Sequence, residues 1–117
     1  MSASRNLGVE LASGEFITFL DADDVWLPGK LDAQLSILRS HPDVDVLVAP
    51  AEWWRSWDAH ESGHDFCQRL VDGEAECVIV DPPILARNFL VDEWQSICDL
   101  VVNRTVFREV GGYETTF

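Results

Sequence analysis

Basic residues are scarce in this sequence: eight Lys and Arg stand against 21 Asp and Glu, a formal net charge of -13 over 117 residues. A field of that sign repels phosphate backbones and anionic membrane surfaces, which excludes broad nucleic-acid binding. Cysteine is sparse as well. The three thiols, Cys67, Cys77 and Cys98, form no CxxC pair, and an odd number without a secretory leader implies reduced thiols in a cytoplasmic setting. Long apolar runs are missing: no stretch approaches the roughly 20 residues that span a bilayer. Residues 1–20 also lack the basic start and apolar centre of a signal peptide. With no repeat, low-complexity tract or Gly/Ser linker, the expectation is a single domain over residues 1–117.

What is present alternates between helical and extended patterns. Ala3 to Ser13 puts Leu7 and Leu11 on one helical face and stops at Gly14. "EFITFL" (Glu15 to Leu20) is a nearly continuous apolar run, predicting a central strand buried on both faces. Leu31, Leu35 and Leu38 then recur at helical spacing until His41-Pro42, with Pro28 in the first turn. "VDVLVA" (Val44 to Ala49) reads as a strand ended by Pro50, and Ala51 to Gly73 as irregular or loosely helical. Glu76 to Val80 reads as a strand, Ile84 to Val91 as a helix, Ser96 to Val102 as a strand, and Thr105 to Val110 as a short helix closed by Gly111-Gly112. This alternation predicts an α/β fold with a mixed or mostly parallel sheet flanked by helices.

In an open α/β sheet, ligands bind at the carboxyl ends of strands, and "FITFL" delivers Asp21, Asp23 and Asp24 to such an end. If strand geometry persists past Leu20, Asp21 and Asp23 point the same way and share one ligand or cation, while Asp24 points elsewhere. Their oxygens suit hard ions such as Mg²⁺ or Mn²⁺, whose shell substrate phosphates complete. A plainer alternative has the aspartates opening the next helix, capping its free N–H groups, a role that suits Asp24 best, with Pro28 in the first turn. A calcium loop fits poorly, because Val25, Trp26 and Asp32 stand where its third ligand, turn glycine and bidentate Glu belong. Hydrophobic strand then Asp-x-Asp-x-Val also resembles the first motif of haloacid-dehalogenase-type phosphatases, with Asp21 as nucleophile and Asp23 as general acid/base. No later strand ends in the further residues that chemistry needs.

The flanking motifs are more specific. Ser4-Arg5-Asn6-Leu7-Gly8, Ala12-Ser13-Gly14-Glu15, Asp21-Ala22-Asp23-Asp24 and Trp26-Leu27-Pro28-Gly29-Lys30-Leu31 occur in series. This series closely resembles the central segment of family-2 inverting glycosyltransferases of the GT-A fold. "DLVVNRTVFREVGGYETTF" (Asp99 to Phe117) resembles the same family's later segment. The resemblance implies transfer of a sugar from a nucleotide-diphosphate-sugar to a saccharide, lipid or protein acceptor, with inversion and with Mg²⁺ or Mn²⁺. It implies that Asp23 coordinates the metal, that Asp21 contacts the donor ribose or helps hold the metal, and that Arg5 and Asn6 shape the nucleotide side of the cleft. The full-length parent it implies is peripheral to a membrane.

Two departures qualify this reading. Few residues precede Ser4, where the family places strands that carry much of its nucleoside pocket, and no Glu-Asp pair follows Tyr113 to supply the catalytic base; Glu114 lies too close to the glycines. The expectation is therefore a central fragment of the domain, weakly active or inactive alone, that self-associates through an exposed sheet edge. A non-catalytic remnant or interaction module is the competing reading. His60, His64 and Cys67 as soft metal ligands, Trp53, Trp54 and Trp57 as a sugar platform, and Arg104 and Arg108 as phosphate contacts are each outweighed by plain packing or solvation.

Overall fold

The computed structural model describes residues 1–56, 60, 64–68, 79–84, 87 and 96–116. Helix α1 (Ser2–Leu11) leads into strand β1 (Phe16–Thr18) and then helix α2 (Lys30–Ser40). Strands β2 (Val46–Val48), β3 (Ala51–Trp53) and β4 (Phe66–Gln68) follow. A 3-10 turn (Ile97–Asp99) opens strand β5 (Leu100–Asn103), and helix α3 (Arg104–Glu109) comes last.

The three-stranded sheet has the order β1-β5-β2, and both of its pairings are antiparallel. The expected mixed or mostly parallel sheet is thus corrected: every strand pairing among the described residues is antiparallel. The cause is β5, which enters from late in the chain between two strands that run the same way and do not pair with each other. β5 is the central strand, with Val101 and Val102 buried, whereas β1 lies at the sheet's edge. The ladder runs past the ends of β2 through Asn103 N–H to Asp45 O and Ala49 N–H to Asp99 O. Pro50, which has no N–H to give, follows directly.

The stretch expected to be irregular begins with a second antiparallel pair, β3 with β4. Trp53 and Phe66 face each other across it, their rings stacked at 5.9 Å. Asp65 closes the pair by accepting from Arg55 N, Ser56 N and Ser56 Oγ. Of the strand expected at 76–80, Ile79 and Val80 are not extended into a sheet and the rest lies outside the described residues. Of the helix expected at 84–91, Ile84 and Arg87 are helical and the rest also lies outside them.

Val9, Ile17, Val102 and Phe107 form the core where α1 and α3 meet the sheet, with Phe19, Leu100 and Tyr113 packed around it. The apolar face read from Leu7 and Leu11 is not the one buried: these residues are 54% and 78% exposed, and α1 docks through Val9. The end of α1 is held by two arginines from α3, so neither meets solvent alone. Arg104 donates to Ala12 O and Gly14 O, and Arg108 to Val9 O and Glu10 O. Val9, Glu10 and Ala12 supply carbonyls that a helix end leaves without partners, and Gly14 lies just beyond it.

Neither Pro28 nor Asp24 starts α2. Lys30 N–H closes onto Leu27 O at 3.2 Å with Gly29 at φ 82 and ψ -6, the geometry of a type II turn with proline and glycine at its centre. Gly29 is the N-cap, so Asp24 sits five residues upstream of it. The helix stops at Ser40 as His41-Pro42 predicts, having buried Gln34 and Leu38. Asn103 caps α3 by accepting from Thr105 N and Val106 N, and Gly111 and Gly112 follow with positive φ.

Candidate functional site

Thr18 pairs with Val101, and continuing that antiparallel register three residues sets Asp21 against Cys98. The contact is made: Asp21 N–H donates to Cys98 Sγ at 3.1 Å. Past β1 the chain folds into a turn, with Asp24 N–H on Asp21 O at 3.2 Å. The strand geometry that would align Asp21 with Asp23 therefore does not persist. Asp24 is the aspartate brought to Asp21, and Asp23 is exposed. Among the described residues, Asp21, Asp24 and Cys98 offer ligand atoms within 4.8 Å of one another.

The thiol in this group is neutral. Burial pushes the Cys98 pKa up, and the neighbouring Asp24 carboxylate raises it further. Cys98 thus lies beside the Asp24 carboxylate without adding a negative charge to the group. A set of carboxylate oxygens around a neutral thiol fits a hard divalent cation such as Mg²⁺ or Mn²⁺, whose remaining positions a diphosphate can fill.

Arg5 reaches this loop from α1. Its Nη2 donates to both Asp21 oxygens, at 2.7 and 3.0 Å, and the guanidinium lies 5.8 Å from the Phe19 ring and 5.9 Å from the Tyr113 ring. The bond to Asp21 raises the Arg5 pKa above its ordinary value. Asn6 spends its amide on one neighbour, donating to Tyr113 O at 2.8 Å and accepting from Tyr113 N at 2.9 Å. It ties α1 to the Gly-Gly-Tyr segment.

Lys30, Trp26, Gln34 and Asp99 build the other side. Trp26 Nε1 donates to Cys98 O at 3.1 Å, and Gln34 Nε2 to Asp99 O at 3.2 Å. Lys30 Nζ sits 5.0 Å from the Trp26 ring centre and donates to Gln34 Oε1. Burial lowers the Lys30 pKa, which the charge of Asp99 opposes. Asp99 is buried and its Oδ2 has no hydrogen-bond partner among the described residues. Its pKa is raised to about 6, chiefly by burial. Cys98 and Asp99 were missed as site residues because "SICDLVV" reads as a plain strand. The signal was the aspartate inside that apolar run.

The remaining candidates lie elsewhere. Among the described residues no ligand group forms at His60, His64 and Cys67. Trp54 is exposed, with its Nε1 on Ser56 Oγ, and Trp57 lies outside the described residues. The Glu114 carboxylate is held below the usual range by the Thr116 hydroxyl and nearby backbone N–H groups, the opposite of what a poised base needs.

No helix among the described residues is long and apolar enough to cross a membrane. The chain is 44% identical over 47 residues to an uncharacterized glycosyltransferase of Methanocaldococcus jannaschii, covering 40% of this chain and 16% of that protein. It is 46% identical over 37 residues to the UDP-Glc:alpha-D-GlcNAc-diphosphoundecaprenol beta-1,3-glucosyltransferase WfgD of Escherichia coli, covering 32% and 15%. It is 46% identical over 38 residues to the amylovoran biosynthesis glycosyltransferase AmsB of Erwinia amylovora, covering 32% and 13%. The matched stretches thus span about a sixth or less of these curated relatives. No solved structure matches the chain. The family described as "Glycosyltransferase like family 2" matches residues 1–117, all of the sequence, and the chain belongs to that family.

Proposed function

We propose that this chain carries the donor-diphosphate part of a GT-A-fold, inverting glycosyltransferase site, which binds a nucleotide-diphosphate-sugar with Mg²⁺ or Mn²⁺. The observation that carries this reading is the Asp21 and Asp24 pair, gathered around the Cys98 thiol at the end of β1. Asp21 and Asp24 would hold the cation, and Asp23, exposed on the same turn, would meet the donor. Arg5 and Asn6 serve the nucleotide side, Asn6 through the backbone of Tyr113. A bound divalent cation acts as a Lewis acid, stabilising the charge that builds on a departing diphosphate. The phosphatase alternative is less well supported, because Arg5 engages both oxygens of the Asp21 carboxylate that would have to attack. The acceptor, whether saccharide, lipid or protein, has no assigned contacts.

Calorimetry with UDP-glucose and Mn²⁺ tests the proposal, the probe being suggested by the donor named for the E. coli relative. Saturable binding that requires Mn²⁺ is expected, and Asp24→Asn is expected to weaken it at least tenfold, about 1.4 kcal/mol. Asp23→Asn should keep the metal dependence. The reverse pattern would return the metal to Asp23, and no binding at millimolar ligand would favour a non-catalytic remnant.

A further inference from the structure

The Arg5–Asp21 pair raises a question of charge. A guanidinium nitrogen bonded to both oxygens of a carboxylate already occupies the side from which a metal ion would engage the two oxygens together. This arginine is held in place: its side chain is 20% exposed, against 41% for Asp21, with Phe19 and Tyr113 beside the guanidinium. Asn6, the next residue, fixes the backbone of Tyr113 and so the ring beside Arg5. A divalent cation at Asp21 and Asp24 must therefore share Asp21 with a fixed positive charge or displace it. Either course disfavours the bare ion, because like charges a few ångströms apart repel. A diphosphate reverses the balance, since its negative charge attracts both the cation and the guanidinium.

We infer that Arg5 is a built-in competitor for the cation, which suppresses uptake of the bare ion at Asp21 and Asp24 and makes metal binding depend on the donor diphosphate. The inference rests on the cation site proposed above. It makes Arg5 a positioning and specificity-determining residue whose removal has opposite effects on two ligands. Loss of mere structural support would weaken both.

The test is a Mn²⁺ titration followed by electron paramagnetic resonance, with and without UDP, on the wild-type chain, Arg5→Met and Arg5→Gln. Each neutral variant is expected to take up bare Mn²⁺ at least fivefold more tightly than the wild type, and to bind UDP with Mn²⁺ more weakly. Asp24→Asn should abolish Mn²⁺ uptake in every background. If the wild type takes up Mn²⁺ with UDP in an Asp24-dependent way but the neutral variants bind bare Mn²⁺ no more tightly, the inference fails alone. If neither the wild type nor the variants take up Mn²⁺ under any condition, the cation site fails and the inference falls with it. Should both variants fail to fold, side-chain NMR of wild-type Arg5 decides. Its Nε–H resonance is expected to shift when Mg²⁺ and UDP are added together, and an unmoved resonance at saturation overturns the inference.

Discussion

With 8% of its surface exposed and one carboxylate oxygen unpartnered among the described residues, Asp99 favours its protonated form, and its pKa rises to about 6. An unfolded Asp titrates near 3.9, so over the interval between the two values the folded chain binds the extra proton. The stabilisation this confers is complete below the unfolded value and lost as pH rises through 6. Asp99→Asn removes the buried charge at its source. Its melting temperature at pH 8 is expected to exceed that of the wild type by about 3 °C or more, and the gain to shrink at pH 5.5. Thermal melts followed by circular dichroism at the two pH values check this; equal gains at both would show that ionisation is not the cause. Gly112 is constrained differently. It adopts φ 71, and a Cβ there would meet Asn6 Oδ1 at 2.8 Å and Phe107 Cε1 at 3.2 Å. Gly112→Ala is expected to cost about 2 kcal/mol or more in urea unfolding, from left-handed strain plus disruption of the Asn6 clamp.

Between elements, the bonds from α3 to the end of α1 join the two ends of the described chain. Arg104 makes the shorter pair, 2.6 Å to Gly14 O and 3.1 Å to Ala12 O, against 3.3 and 3.4 Å for Arg108. Arg104→Ala is expected to cost about 1–2 kcal/mol of stability and Arg108→Ala less, by urea denaturation. Equal losses would mean that these distances do not rank the contacts. The same elements show what the sequence discloses. The stop of α2 at His41, the glycine end of α3 and the acidic loop after β1 depend on residues near in sequence, and all were legible. The pairing of β1 with β5 depends on residues some eighty positions apart, and no local pattern encodes its direction. The reading therefore anticipated carboxylates at a strand end yet matched Asp21 with Asp23. The partner the register supplies is Cys98, and a turn supplies Asp24.

The whole molecule sets a strong negative charge against a surface with exposed leucines. Met1, Leu7, Leu11, Leu20, Leu27 and Leu31 are exposed, and among the described residues β1 pairs along one edge only. A net charge of -13 keeps copies apart at low ionic strength, and salt screens that repulsion beyond about 10 Å at 0.1 M. Sedimentation velocity is expected to show association that grows with concentration and with added salt, and that Leu7→Glu with Leu11→Glu reduces. A monomer at every salt concentration would refute it.

The Asp21–Cys98 contact also sets a schedule for synthesis. Its partners are 77 residues apart, and β5 is both the central strand and the source of Cys98. On the ribosome, β1 and β2 emerge with no strand between them. The carboxylate loop cannot close against Cys98 until the segment that carries β5 leaves the exit tunnel. A nascent chain stalled before Cys98 should therefore display all three aspartates and, with UDP present, bind Mn²⁺ more weakly than the 117-residue chain.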